Sequence, residues 1–499
     1  MGIRATDGRS QLEYWQDGGV VTLLFVALLL LIARQLHRSI PAVRALAVPP
    51  VLVAGLAGLL LGDGMLGVLP MDAELLELVV YHSLPVVFIA MGLRRTRTKK
   101  KAVVTEGKGI VARLRGAVAA IPPEVRSCGL AIPIIAMVQG IIGLVLVLVW
   151  NASVGQLHPG VGIMVPLGFS QGPGQALALG KAWEGMGMAE GAQVGLAMAT
   201  LGYAFCAVFG VLFFHLARRM GWGDDAPRGG DAAVESEEEV GSGGSGGNEM
   251  ELLTVQIAIV GTVYLVVWGL LTLAAGAISD PQKAGTIYGF HFLIALLLAV
   301  IIRSVADRTR WADFTDDRLM SRLAGVAVDV GAVCAIAAVR PDRLGDVMIP
   351  VLVLALVGVS TTIMVCVWLA RRVFPERPLS HALVLFGTMT GTLPTGLALL
   401  RLTDPDLQGP AARNMVAGVS LSVVFAAPVL LVLLPWPVAG WPESYPLRTW
   451  QTLAGLSAYV GVLVFVWWLI GPLKFVRPLW GPWPDRPIDG SPSDGGSVA

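Results

Sequence analysis

Apolar runs separated by short polar or charged segments recur along the whole chain. They fill windows at about 18–34, 47–70, 77–93, 128–150, 192–217, 251–276, 285–303, 323–340, 346–370, 411–434 and 449–471. A helix rises about 1.5 Å per residue, so roughly 20 apolar residues cross a hydrocarbon core of about 30 Å. None of these windows alternates apolar and polar positions at period two. The pattern predicts eleven membrane-spanning helices and no strands.

Two more apolar runs are interrupted at their middle. Val161 to Gly180, VGIMVPLGFSQGPGQALALG, is broken at Gln171, Gly172, Pro173, Gly174 and Gln175. His381 to Arg401, HALVLFGTMTGTLPTGLALLR, is broken between Thr390 and Gly396. Proline lacks an amide hydrogen and clashes with the preceding turn, and glycine loosens the backbone, so each run predicts two half-helices meeting at an unwound centre. In hydrocarbon, unpaired backbone is tolerated only where protein buries it or a polar cavity solvates it. Paired breaks in corresponding places of two halves point to the substrate site of a secondary transporter.

Composition agrees with this class. Of 499 residues, 55% are hydrophobic and 14% charged, and the mean hydropathy is +0.71, which predicts a polytopic membrane protein and no nucleic-acid partner. The net charge of +1 hides an uneven distribution. With the N-terminus outside, 29 of the basic residues fall on the cytoplasmic side and 7 on the other, so the C-terminus is expected inside. The basic run Arg94–Arg126 either fixes this topology or meets anionic lipid headgroups. Asp7, Glu13 and Asp17 flank the first window and no small-residue cleavage site follows it, so that window is expected to be retained. Cys128, Cys206, Cys334 and Cys366 have no Cys-x-x-Cys spacing and are expected to be small apolar packers.

The segment from Asp224 to Asn248 is rich in Glu, Gly and Ser and has almost nothing apolar to bury. It is expected to be a flexible cytoplasmic linker. Five spans and one broken segment precede it, and five spans and one broken segment follow before the last span. Because five is odd, the halves enter the membrane with opposite polarity, which predicts an inverted repeat. The expected division is an external segment (1–17), repeat 1 (18–217), a linker (218–250), repeat 2 (251–434), an added helix (435–471) and a cytoplasmic tail (472–499).

The chemistry expected at the breaks follows from backbone and side-chain donors. A half-helix N-terminus suits a carboxylate, and unwound carbonyls suit sodium. Ser170, Gln171, Gly172, Gly174 and Gln175 in one turn, with Thr390, Gly391, Thr392 and Thr395 in the other, are the candidate substrate ligands. Arg401 is added as a partner for an anion, with snorkelling to the cytoplasmic face as the alternative. Lys181, just past the first break, and His82, near the outer end of its span, are expected at the interface. Asp329 is the acidic residue in mid-span, where an ionisable group is energetically unfavourable and so suggests a function. It is the candidate cation ligand or proton carrier, with Gly172 and Thr392 as further ion ligands, and a neutral hydrogen-bonded structural role remains open. GFSQG at Gly168–Gly172 also matches the Gly-x-Ser-x-Gly nucleophile elbow, but that motif needs a strand before its serine, and both flanks here are membrane-apolar. The expectation is a carrier and not an enzyme.

Several stretches resemble the bacterial sodium:glutamate symporters. ARQLHRSIPAVRALAVPPVLVAGL at Ala33–Leu56 is similar to the end of that family's first span and start of its second, and FIAMGL at Phe88–Leu93 resembles its third. SQGPG at Ser170–Gly174 sits where the family carries a Ser-Gly-Gly-His-Gly-type turn, followed by AMAT at Ala197–Thr200. GTLPT at Gly391–Thr395 resembles the family's Gly-Ala-Thr-Pro-Thr turn. The first turn differs in carrying Gln171, Pro173 and Gln175 where the family pattern has glycine, histidine and threonine. The resemblance implies a homodimeric elevator-type carrier in the bacterial inner membrane. It implies symport of glutamate or a related small carboxylate with sodium, without any cofactor beyond that ion.

Overall fold

A computed structural model describes residues 18–40, 48–95, 121–223, 246–279, 281–309, 311, 313–374 and 377–470. The expected external segment, most of the linker, most of the basic run after Arg95 and the expected tail lie outside the described residues. In chain order the helices are α1 (Gly18–Ser39), α2 (Pro50–Leu61), α3 (Ala73–Leu93), α4 (Pro123–Ser153), α5 (Pro159–Pro166), α6 (Pro173–Glu184), α7 (Gly191–Arg219), α8 (Gly246–Gly276) and α9 (Pro281–Gly289). They continue with α10 (His291–Ala306), α11 (Asp317–Ala337), α12 (Pro341–Leu344), α13 (Met348–Val373), α14 (Pro378–Thr390), α15 (Leu393–Leu400), α16 (Pro410–Pro428) and α17 (Leu447–Ile470). No strand occurs among the described residues.

Nine helical stretches among the described residues are long and apolar enough to cross a membrane, so the protein is an all-helical, multi-pass membrane protein. Side chains such as Leu31, Leu273 and Trp468 stand 65%, 74% and 56% exposed. Apolar exposure on that scale is expected of a surface bathed in lipid.

Two of the eleven expected spans are shorter than their apolar windows. The window at 47–70 yields only the 12 residues of α2, because Gly62, Asp63 and Gly64 turn the chain after Leu61. The window at 285–303 is split at Phe290, where φ −100° and ψ 13° separate α9 from the 16-residue α10. In both places apolar composition continues past a backbone that has already left the helix. Helix α8 also begins at Gly246, so it takes in the glycines that ended the expected linker.

The described chain divides into two compact units that cut across its halves. The first takes residues 1–98, 156–204 and 239–353. At its centre α3 and α11 pack together, α2 lies against α11, and α10 lies against α3. Asp72 caps α3 by accepting from the amides of Glu74 (2.9 Å) and Leu75 (3.3 Å). Asp316 caps α11 in the same way, from Arg318 (2.8 Å) and Leu319 (3.0 Å). Such a cap satisfies amides that a helix start leaves without partners. The Arg95 amide at the end of α3 donates to Asp317 at the start of α11 (3.0 Å), so these two 21-residue helices run antiparallel. Small residues set the close approaches: Gly92 lies against Ala299, and Gly55 against Ile336.

The second unit takes residues 99–155, 205–238 and 354–499. Here α4 is covered by α16, α17 and α14. Gly418 lies on Cys128, and Gly129 on Leu421, so α4 and α16 meet at backbone distance. The last helix, α17, is tied to α4 by Arg126 Nη1 donating to the Ile470 carbonyl (3.0 Å). Tyr459 binds it to α16 through the Phe425 carbonyl (3.1 Å). All four cysteines are buried and free.

Candidate functional site

The first break lies in the first unit. His158 caps α5, its Nδ1 accepting from the Gly160 amide at 3.0 Å, which puts the proton of the neutral ring on Nε2. Burial pushes this imidazole down to about 4, a fall that a backbone bond with Met186 partly offsets. After Pro166 the chain widens into a π-turn over Leu167–Gln171. Ser170 Oγ donates to the Pro166 carbonyl (2.8 Å). The turn then ends at Gly172, whose φ of 93° and ψ of 172° form a conformation that glycine alone adopts readily. Pro173 opens α6, where a missing amide hydrogen costs nothing because first-turn amides lack intrahelical partners anyway. Gln175 is 4% exposed, and its Oε1 has no hydrogen-bond partner among the described residues.

This half-hairpin is held by backbone contact. A Cβ on Gly180 would sit 2.2 Å from the Gly191 carbonyl oxygen, and one on Gly195 2.5 Å from that of Ala176. Helix α6 therefore lies on the start of α7 with no room for any side chain. Glu184 pairs with Lys181 (2.8 Å), whose side chain is 63% exposed, and also accepts the Ala192 amide (3.1 Å).

The second break lies in the second unit. Thr390 Oγ1 donates to the Phe386 carbonyl (2.8 Å) at the end of α14. Gly391 leaves the helix at φ −153° and ψ −107°, and Thr392 is the N-cap of α15. The Thr392 amide donates to Thr395 Oγ1 at 2.8 Å. The same hydroxyl lies 2.9 Å from the Gly387 carbonyl and 2.6 Å from that of Thr392. Gly387 and Gly396 bring α14 and α15 to backbone distance. The predicted residues of each break are therefore gathered at one turn, and the hydroxyls of Ser170, Thr390 and Thr395 all donate to backbone carbonyls, that of Thr395 facing Gly387, one of the last four carbonyls of α14.

Arg401 is not brought to its turn. It caps the far end of α15 and is exposed, roughly 13 Å along the axis from Thr392 at about 1.5 Å per residue. Asp329 lies in the middle of α11, with an exposed side chain and no hydrogen bond or ion pair among the described residues. It shares the first unit with Gly172, whereas Thr392 belongs to the second. His82 Nδ1 is 2.6 Å from the Tyr264 hydroxyl. Among the described residues no group of His, Cys, Asp and Glu is arranged to hold a metal ion. Ser170, the serine of the elbow-like motif, stands in a π-turn between two helices.

Two glutamines were missed by the sequence reading. Gln193, 1% exposed, donates from Nε2 to Glu77 (2.6 Å) and to the Ala338 carbonyl (3.1 Å). Its Oε1 accepts the Arg340 amide (2.8 Å), so it joins the start of α7 to α3 and to the end of α11. Gln139, fully buried in α4, donates to Thr362 Oγ1 (2.9 Å) and to the Met389 carbonyl (2.8 Å). Each is an isolated amide inside an apolar run, and that is the signal by which both could have been found.

No protein-family model matches the chain, and no solved structure matches it. Among characterised proteins the chain is similar to the ESX-2 secretion system protein eccD2 of Mycobacterium tuberculosis, with 28% identity over 204 residues. That similarity covers 39% of this chain and 39% of eccD2's own length.

Proposed function

We propose that this protein is a secondary active transporter that couples sodium entry to uptake of glutamate or a related small carboxylate. The observation that carries the reading is the pair of apolar segments, one in each half of the chain, that leave helical geometry at Gly172 and at Gly391. Interrupted helices at membrane depth are the recurring substrate sites of carriers, because the freed amides and carbonyls are the ligands. The start of α6 offers positive helix-end potential to a carboxylate, and the end of α14 offers carbonyl oxygens to a cation. An inverted repeat is supported by α3 and α11, which have the same length, the same Asp cap and opposite directions. The same spacing along the chain separates Asp72 from Asp316, Gly55 from Ala299 and Gly92 from Ile336, the residues of matching helix contacts. On this reading the protein is an elevator-type homodimer, with the N-terminus outside and the C-terminus in the cytoplasm.

Uptake of radiolabelled carboxylates into proteoliposomes is the test. Accumulation of one carboxylate under an inward sodium gradient is the expected result, retained by Asp329→Asn. Uptake driven by a pH gradient alone in sodium-free buffer, and abolished by Asp329→Asn, would replace sodium with a proton carried by Asp329. Failure to accumulate any carboxylate under either gradient overturns the carrier. Covalent labelling of Ser170 by a fluorophosphonate would instead favour an intramembrane serine hydrolase. The similarity to eccD2 favours a second reading, a membrane component of a secretion assembly. Stable co-purification with other membrane proteins, together with absent uptake, would select it.

A further inference from the structure

The second break carries an acceptor that the fold leaves unused. Gln139 is fully buried, and both of its named hydrogen bonds are made by Nε2, to Thr362 Oγ1 and the Met389 carbonyl. A carbonyl only accepts, so the nitrogen must be the atom facing Met389 and the amide cannot be turned over. Thr362 gives its own proton to the Gly358 carbonyl (2.7 Å), so it too only accepts from Gln139. The consequence is that Gln139 Oε1 is buried with no donor among the described residues. By amide geometry this oxygen lies within roughly 5 Å of the Met389 carbonyl oxygen.

An orphan amide oxygen inside a membrane protein is unfavourable unless something positive meets it. The surroundings select that partner by charge. Helix α14 ends at Thr390, so its negative helix end and its last carbonyls, without intrahelical partners, converge beside Gln139. Thr395 Oγ1 already serves the Gly387 carbonyl and Gln139 Nε2 the Met389 carbonyl, so the unit has supplied donors for some of these groups and none for Oε1. Oxygen ligands on a rigid scaffold, without a carboxylate among them, suit a compact monovalent cation better than a divalent one.

We propose that Gln139 Oε1 is a ligand of a sodium ion held at the second break, with backbone carbonyls from the end of α14 as its neighbours. The inference rests on the carrier reading for its purpose but not for its test, which is binding and not uptake. Radioactive sodium is titrated onto the full chain in nanodiscs without any carboxylate present. Wild type is expected to bind sodium saturably, and Gln139→Met, similar in volume but without the amide, to bind it about tenfold more weakly. Thr362→Val keeps Oε1 and should stay within about twofold of wild type, since it removes one neutral hydrogen bond at a distance from the ion. Gln139→Asn, which withdraws the oxygen by one methylene, gives the same comparison should Gln139→Met not yield monodisperse protein.

Unchanged sodium affinity in both Gln139 variants overturns the proposal, as does the absence of saturable binding to wild type. A variant that weakens binding of a carboxylate substrate carrying an ammonium group, with sodium affinity intact, also overturns it and assigns the oxygen to that ammonium. Sodium binding that depends on Gln139, in a protein that accumulates nothing, would sustain this proposal and remove the carrier reading. Sodium-driven uptake with a sodium affinity indifferent to Gln139 would do the reverse.

Discussion

At Gly172 the chain leaves helical geometry through a φ of 93°, whereas at Gly391 it leaves through an extended φ of −153° and threonine hydroxyls take up the backbone groups beside it. The first break relies on conformation and close packing. Glycine supplies the turn, proline restarts the helix, and α6 is pressed onto α7 through glycines on both sides. The second relies on hydrogen bonds: Thr390, Thr395 and Gln139 each meet a carbonyl at the end of α14. Backbone freed inside a membrane can thus be accommodated by shape or by added polar side chains. The two strategies should fail under different substitutions.

The largest expected effect is steric and confined to the first segment. Gly180→Leu would place a Cβ 2.2 Å from the Gly191 carbonyl oxygen, which is backbone of a packed helix and cannot swing aside. Overpacking of this kind destabilises by more than the usual 1–3 kcal/mol, roughly, because no rotamer relieves it. Little monodisperse protein should be recovered by size-exclusion chromatography. Gly185→Ala, whose Cβ would be 3.7 Å from the Ala182 carbonyl oxygen, is the control and should purify as wild type does. Normal yield of Gly180→Leu would show that α6 does not lie on α7 as described.

The next effect appears only in acid. His158 caps α5 as a neutral acceptor, and its pKa falls from 6.5 to about 4. A base depressed in the folded state adds stability above its unfolded value, and this is lost as pH drops from about 6.5 through about 4. At about 1.4 kcal/mol per unit the loss is roughly 3 to 3.5 kcal/mol. Thermal melting should therefore show an acid-sensitive limb in that window, and His158→Asn, which caps without titrating, should flatten it. An identical limb in the variant would assign the acid sensitivity elsewhere.

Much of this arrangement was legible in the residues. The breaks could be read because proline and glycine act locally, and the spans because apolar length is a one-dimensional property. Asp72 and Asp316 sit where an acidic cap begins a helix, although their correspondence emerges only when α3 and α11 are seen packed together. The end of α2 and the start of α10 differ from their apolar windows because apolar content says nothing about where the Gly62-Asp63-Gly64 turn or the break at Phe290 takes over. The compact units were not legible at all, since each draws on both halves of the chain. Among the site residues, the hydroxyls lie at the turns where the residue pattern puts them, but their bonds to backbone carbonyls depend on rotamers that the sequence does not contain. Arg401 was grouped with its turn by proximity in sequence, and an eight-residue helix carried it away.

Gly172→Ala comes third. A Cβ at φ 93° is strained whatever space surrounds it, by about 1–3 kcal/mol, and the strain falls on the turn that holds Ser170, Gln171 and Gln175. Melting temperature should drop, and exchange of the amides around the turn should quicken when followed by mass spectrometry. A variant that melts as wild type would mean that the turn does not need its glycine.

The smallest effects compare one hydroxyl from each break. Ser170 makes one named hydrogen bond, to the Pro166 carbonyl, at a half-buried position, and water entering the turn could replace it. Its removal in Ser170→Ala should destabilise by roughly 0.5–1.5 kcal/mol. Thr395 is buried, accepts the Thr392 amide and faces two carbonyls, so Thr395→Val withdraws a helix cap as well as a donor. The sum should be about 1–2 kcal/mol, and more if the amide stays unsatisfied. Thr395→Val is therefore expected to lower the melting temperature further than Ser170→Ala, with methyl volume conserved at the threonine. If the two variants melt together, the second break is not held by its hydroxyls. The distinction between a break held by shape and one held by hydrogen bonds would then fail at the place where it is easiest to measure.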